Sequence, residues 1–197
     1  MHVQKLVAFI LGAAIVAFGI SQIGFQKNPQ EKTMSADDMV ARGKYLVDTI
    51  GGCADCHSPK IFTDKGPEPD MAKFLSGHPA GSELPEIDPN LVTPDKWMLV
   101  NPQLTAFVGP WGVTFAANLT PDEQTGIGLW KEENFIQAMR TGKHMGTGRL
   151  IMPPMPWFNL AKATDEDLQA MFAYLKSLPP VKNLVPGPMP LAELAGQ

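Results

Sequence analysis

The pattern Cys53-Ala54-Asp55-Cys56-His57 limits what this chain can fold around more than any other feature, because it contains both cysteines of the 197 residues. Thiols three residues apart lie on the same side of one helical turn, and a histidine follows directly. This spacing is typical of c-type haem attachment, in which the thiols bond the vinyl groups of one haem and the histidine binds its iron. The pattern therefore predicts one covalent haem c, held by Cys53 and Cys56, with His57 as an axial ligand.

A Cys-x-x-Cys pair also occurs in thioredoxin-like redox sites and in zinc sites. Neither use explains the adjacent histidine. A redox pair would need a βαβ context, which the sequence does not indicate, and zinc would need two further ligands, from His78, His144 or acidic residues. These two histidines lie in loops flanked by glycine and proline, and we interpret them as solvated; the alternative is a second metal site or a ligand to the oxidised iron.

The charge balance bears on the class of partner. The formal net charge is -4, and no run of basic residues could follow a phosphate backbone. We therefore expect no nucleic-acid partner. No acid–base constellation indicates a small-molecule substrate either.

The first thirty residues include an apolar segment, Leu6 to Phe25, that contains no charged residue. Twenty residues of helix span roughly 30 Å, the thickness of a bilayer's hydrocarbon core. The segment therefore predicts a single transmembrane helix with its basic end, at Lys5, in the cytoplasm. A cleaved secretory signal ending near Ala17-Phe18-Gly19 is the alternative. Either interpretation places the rest of the chain on the periplasmic, outer side of the cell membrane.

Three regions follow from this division. Residues 1–30 are the expected anchor, residues 31–180 the haem domain, and residues 181–197 an extended proline-rich tail to which we assign no chemistry. Capping residues and apolar periodicity predict helices from Ser35 to about Thr49, from Leu129 to Thr141, and from Thr164 to just before Pro179. From Ser58 to Gly109, prolines interrupt every periodicity and predict a long irregular loop.

A low-spin electron carrier needs a sixth iron ligand, for which a methionine thioether is suited. Of eleven methionines, only Met152 and Met155 lie in a segment built to hold a ligand rigidly, residues 150–157, where three prolines fix the backbone. In an extended proline-rich run, residues three apart point the same way, so geometry leaves the two methionines equivalent.

Four segments of the downstream half carry a resemblance to a known family. They are Asn118-Leu119-Thr120-Pro121-Asp122, Thr125-Gly126-Ile127-Gly128, Ala138-Met139-Arg140-Thr141-Gly142 and Asp165-Glu166-Asp167-Leu168. Together with the motif at residues 53–57, they are similar to the cytochrome c subunits of membrane-bound bacterial dehydrogenases and respiratory complexes. Residues 60–108 show no reliable similarity to that family.

The resemblance implies a mainly α cytochrome c fold with a long loop insertion, and it implies that the iron-binding methionine of the Pro-x-Met-Pro segment is Met155. It also implies an electron carrier, not an enzyme, that relays electrons between redox protein partners in a membrane complex. The alternative function is a haem enzyme or gas sensor with an open distal site. Further candidates for contact with the haem edge or its propionates are Trp111, Asn118, Arg149 and Trp157, although both tryptophans would serve equally as core residues.

Overall fold

The computed structural model describes residues 34–194. The predicted anchor, Leu6 to Phe25, lies outside the described residues. Within residues 34–194, no helix combines the length and the apolar character needed to cross a bilayer.

The first helix begins where its cap predicts. Helix α1 (Ala36–Lys44) has Ser35 as its N-cap, and the Ser35 side chain accepts a hydrogen bond from the main-chain N–H of Asp38. The helical path continues as a π-helix over Tyr45–Ile50 and ends at Gly51. The predicted helix is confirmed in extent, but its wider final turn was not anticipated.

Helix α2 (Cys53–His57) follows after two glycines and contains the complete cysteine–histidine motif. Beyond it, the expectation of an entirely irregular stretch is wrong. The strands of the region are β1 (Lys60–Thr63), β2 (Gly66–Pro69), β3 (Leu99–Val100), β4 (Ala106–Gly109) and β5 (Gly112–Phe115). They have two to four residues each and are too short to produce a recognisable periodicity.

The strands form two small antiparallel sheets. Strands β1 and β2 pair as a hairpin, and the other three pair in the order β3-β4-β5. In the second sheet, Phe107 faces Thr114 and Val108 faces Val113. Val108 and Val113 are buried with Val92 in a small apolar cluster of their own.

The remaining helices are α3 (Glu132–Thr141), α4 (Trp157–Leu160), α5 (Asp165–Ser177) and α6 (Leu191–Leu194). Two predicted boundaries are confirmed: Gly142 ends α3 in a left-handed conformation, and the Thr164 side chain caps α5. Helix α3 begins three residues later than predicted, at Glu132 rather than Leu129. Short 3-10 turns lie at Met71–Lys73, Pro89–Leu91 and His144–Gly146.

The main core is formed by α1, α3 and α5 together with the π-helix and α2. Its fully buried centre includes Val47, Ala138 and Leu168. Helices α1 and α5 approach closely at Gly43, where an added Cβ would collide with the carbonyl oxygen of Ala170. The fold is thus mainly helical, as predicted, with two small sheets inserted between α2 and α3.

The prediction that the tail after Pro180 is extended rather than packed is wrong about packing: the tail runs extended to Pro190, continues as α6, and packs closely on the rest of the chain. Met189 exchanges two main-chain hydrogen bonds with Val113, at 2.8 and 3.0 Å. The Asn183 side chain donates to the carbonyls of Ser76 and His78 and accepts from the N–H of Ala80. These contacts make the tail a strap across the inserted region.

Candidate haem site

Helix α2 places both thiols on one short turn. Gly52 adopts a left-handed conformation directly before it, and Ala54 anchors the helix in the main core. Cys53 and Cys56 are both half-buried, and no disulfide joins them. The prediction that the two thiols share one helical turn is confirmed.

The thiols do not have the character of a redox pair. Burial raises the pKa of Cys53 to about 11, with the carboxylate of Asp48 adding to the shift. Burial also raises the pKa of Cys56, and the charge of Asp55 acts in the same direction. Catalytic Cys-x-x-Cys pairs depend on a lowered thiol pKa, so these cysteines do not fit the thioredoxin-like alternative.

His57 is fixed in the orientation that an axial ligand requires. Its Nδ1 lies 2.8 Å from the carbonyl oxygen of Ala117, which can only accept, so Nδ1 carries the proton. Nε2 then has its lone pair free, and it makes no hydrogen bond within residues 34–194. Burial lowers the pKa of His57, which favours the neutral, metal-binding form of the ring.

The main chain holds His57 from a second side as well. Its carbonyl accepts a 2.7 Å hydrogen bond from the N–H of Gly77. The sequence did not single out Ala117 or Gly77, because each contributes a main-chain group that no residue type reveals. Their contribution depends only on how the inserted region folds back over α2.

Lys60 is a further residue that the sequence did not indicate. Its side chain is only 7% exposed, and Nζ donates to the carbonyls of Ala54 (3.0 Å) and Ser58 (2.6 Å). These carbonyls lie at the carboxyl end of α2, where a helix favours a positive charge. A lone lysine carries no sequence signal for this role, since most lysines are solvated.

The structure separates the two candidate methionines. Met155 is half-buried and packs against the main core, as does Cys53, whereas Met152 is not among the residues that pack there. The segment itself differs from the extended run expected, because the Met155 N–H donates back to the Met152 carbonyl (3.3 Å) in a turn. The Pro153 carbonyl accepts a 2.7 Å hydrogen bond from Thr114 of β5.

The four lesser candidates differ in their surroundings. The Asn118 amide is buried and donates to the carbonyl of Val181, so it holds the tail. Arg149 is exposed, and its Nη1 donates to the carbonyl of Leu150. Trp157 packs on Gly142 at the end of α3. The indole N–H of Trp111 is buried and has no partner in the described residues.

The two loop histidines have opposite environments. The expectation that His78 is solvated is wrong: the residue is 0% exposed, its ring packs against that of Phe115 at a tilt of 42°, and Nδ1 lies 2.9 Å from the Thr105 hydroxyl. His144 is exposed, as expected, and meets the Trp130 ring edge-on. Proline and glycine around His78 indicated a loop, but not that the loop is buried beneath the tail.

These residues fit a covalent haem. Two protonated thiols lie on one turn, and a neutral imidazole beside them has a free Nε2. Two buried ring nitrogens, Nε1 of Trp111 and Nε2 of His78, also lack partners within residues 34–194. The described part of the chain contains no group of three or more His, Cys, Asp or Glu side chains placed to hold a metal ion.

Comparison with known proteins gives a consistent result. Residues 40–179 match the family model for cytochrome c. The cytochrome c subunit of the quinone alcohol dehydrogenase of Gluconacetobacter polyoxogenes is 30% identical over 174 residues, which cover 83% of this chain and 30% of that protein. The gluconate 2-dehydrogenase cytochrome c subunit of Pantoea cypripedii is 30% identical over 138 residues, 70% of this chain and 23% of that protein.

A further relative belongs to a different dehydrogenase. The fructose dehydrogenase cytochrome subunit of Gluconobacter japonicus is 28% identical over 140 residues, 70% of this chain and 22% of that protein. The matched regions therefore span only 22 to 30% of the length of these three relatives.

Proposed function

Since this chain belongs to the cytochrome c family, we propose that it is an electron-transfer cytochrome with one covalent haem c, ligated by His57 and Met155, that works as a subunit of a membrane-bound dehydrogenase or respiratory complex. The observation that carries the proposal is the His57 imidazole, held neutral with Nδ1 on the Ala117 carbonyl and Nε2 free. This ring lies in the same helical turn as both cysteines.

Cys53 and Cys56 would attach the cofactor through two thioether bonds. Each thiol would add across one vinyl group of the haem, with the sulfur bonded to one vinyl carbon and the thiol hydrogen transferred to the other. The addition needs neither an oxidant nor a leaving group.

When bound, haem c supplies a one-electron couple between ferric and ferrous iron. The residues contribute by holding the same two ligands in both states. His57 is restrained at Nδ1 and at its own carbonyl. Met155 packs on the core, and the resemblance to the family favours it over Met152 as the second ligand.

The names of the relatives suggest the partner. The relatives from Gluconacetobacter and Pantoea are cytochrome c subunits of alcohol and gluconate dehydrogenases. We infer that this chain takes electrons from a dehydrogenase partner and passes them to another redox protein. In this arrangement Leu6 to Phe25 anchors the chain in the cell membrane, and the haem domain lies on the periplasmic side.

Carbon monoxide binding tests the ligation. With both axial positions filled, the reduced protein should bind carbon monoxide poorly at neutral pH. Met155→Ala should open one position and allow rapid binding, while the matched variant Met152→Ala should behave like the wild type. Fast stoichiometric binding by the folded wild type would instead favour a haem enzyme or gas sensor.

Covalent attachment has its own test. Haem should stay with the polypeptide through denaturing electrophoresis, and a variant with Cys53→Ala and Cys56→Ala should lose that signal. Haem that extracts into acidic organic solvent from the wild type would contradict thioether attachment.

A further inference from the structure

Thr114 links the inserted sheet to the segment that carries Met155. The side chain is buried, at 5% exposure, in strand β5. Its hydroxyl donates a 2.7 Å hydrogen bond to the carbonyl of Pro153, which lies 39 residues further along the chain.

The segment of residues 150–157 is also bonded to the end of α3, by the Ile151 N–H and the Gly142 carbonyl (2.7 Å), but within the described chain the residues after Ile151 have no such main-chain bond. Pro153 and Pro154 have no main-chain N–H, and the N–H of Met155 is used within the turn, on the Met152 carbonyl. Within residues 34–194, the Thr114 bond is the sole hydrogen bond that reaches Met152 to Met155 from another element.

Thr114 itself is held on both sides, so it can act as a fixed point. On one edge β5 pairs with β4, where Phe107 faces Thr114. On the other edge the neighbouring residue Val113 exchanges two hydrogen bonds with Met189 of the tail. A loop bonded to this strand is therefore restrained by the sheet and the tail together.

We propose that Thr114 is a positioning residue for the axial methionine: its hydroxyl holds the Pro153 carbonyl so that the Met155 sulfur stays on the iron. This inference rests on the proposed function, because it takes Met155 as the ligand. In this proposal the sheet of β3, β4 and β5 lies outside the helical core and restrains the segment that carries Met155.

The competition between Met155 and added imidazole for the ferric iron measures this restraint. Imidazole binds only when the methionine leaves, so a looser loop gives a higher apparent affinity. Thr114→Val keeps the shape of the side chain and removes the donor. It should raise the apparent imidazole affinity by about 2- to 10-fold, which corresponds to the loss of one typical intramolecular hydrogen bond. Thr114→Ser keeps the donor and should restore the wild-type affinity.

A matched control separates positioning from general loosening. Thr105 is also a buried threonine of the inserted region, but its hydroxyl bonds His78 and not the methionine loop. Thr105→Val should lower the midpoint of urea unfolding and leave the imidazole affinity within about twofold of the wild type, since the methionine loop keeps its hydrogen bond. An increase equal to that of Thr114→Val would overturn the proposal.

Other outcomes are equally decisive. An unchanged imidazole affinity in Thr114→Val would overturn the proposal. If that variant does not fold, Thr114→Ala provides the second test. Failure of both variants to give folded holoprotein, while Thr114→Ser folds, would assign the hydroxyl to folding and would also overturn the proposal.

Met155→Ala tests the proposed function separately. This variant should bind imidazole more tightly than Thr114→Val, and a wild-type affinity would show that Met155 is not the ligand.

Discussion

Lys60 brings a positive charge into the protein next to the helix that carries both cysteines. Its ammonium group bonds two carbonyls at the end of α2. Oxidation of a bound haem adds one positive charge to the iron, so a fixed cation nearby disfavours the oxidised state and raises the reduction potential. Burial protects such a charge from screening by salt.

The variant Lys60→Met should therefore lower the reduction potential, by roughly tens of millivolts for a unit charge that acts through an effective dielectric constant of about 20. Lys60→Arg should keep the potential, and Lys65→Met, at an exposed position of the β1–β2 hairpin, should change it little. Spectroelectrochemical titration provides the measurement, and equal shifts for positions 60 and 65 would refute the assignment.

The buried His78 makes the free energy of unfolding depend on pH. Burial lowers its pKa below the ordinary value of 6.5, and its partners Thr105 and Phe115 are neutral. The unfolded chain then binds a proton more readily than the native state below about pH 6.5. The contribution of His78 to stability is therefore present above that pH and is lost as the pH falls.

The variant His78→Gln should flatten this acid-side loss. Urea unfolding of the holoprotein at about pH 7 and about pH 5 should show a smaller difference for the variant, since one group contributes up to about 1.4 kcal/mol per pH unit. His144→Gln, at an exposed position, should retain most of the wild-type difference. An acid-side slope that is the same in His78→Gln and in the wild type would contradict the argument.

At the scale of elements, the three long helices were predictable, whereas the sheets and the short helices α4 and α6 were not. Ser35 and Thr164 use their side chains as caps, and these local contacts are visible in the order of residue types. The strands are held instead by pairing between distant residues, such as Ala106 with Phe115 and Val113 with Met189. Such pairing leaves little trace in strands this short. The packing of the tail could not be predicted for the same reason.

The tail has a measurable role at this scale. Asn183→Ala would remove three hydrogen bonds and leave the carbonyls of Ser76 and His78 and the N–H of Ala80 without these partners. We expect a loss of unfolding free energy of roughly 2 kcal/mol or more. Asn159→Ala, at an exposed position in α4, should cost much less. Chemical denaturation of the two holoproteins tests this, and equal losses would mean that the tail does not act as a strap.

At the scale of the whole molecule, the site was predictable where side chains carry it. Cys53, Cys56 and His57 form a contiguous pattern, and the helix needed to align them is observed. The supporting groups come from a region without a recognisable pattern, and most of them are main-chain atoms, which are the same at every residue. They are the carbonyl of Ala117, the N–H of Gly77 and the buried Lys60. Only the three-dimensional path of the insertion brings them to the site.

The proposed place of the protein in the cell depends on the segment that precedes the haem domain. Leu6 to Phe25 has the length and apolar character of a transmembrane helix, and a retained helix would keep the site near a membrane-bound partner.

Protein from native membranes should then stay in the pellet after a carbonate wash, and the mass of the mature chain should include residues 6–25. A variant with Ala13→Arg and Ala14→Arg places two charges in the middle of the segment, where each is costly, and should reduce the fraction retained. Ala36→Arg, at an exposed position in the first turn of α1, is the matched control and should leave the fraction unchanged. A soluble mature protein that begins near Ile20 or Ser21 would instead establish a cleaved signal, and the link to the membrane would then have to come from a partner protein.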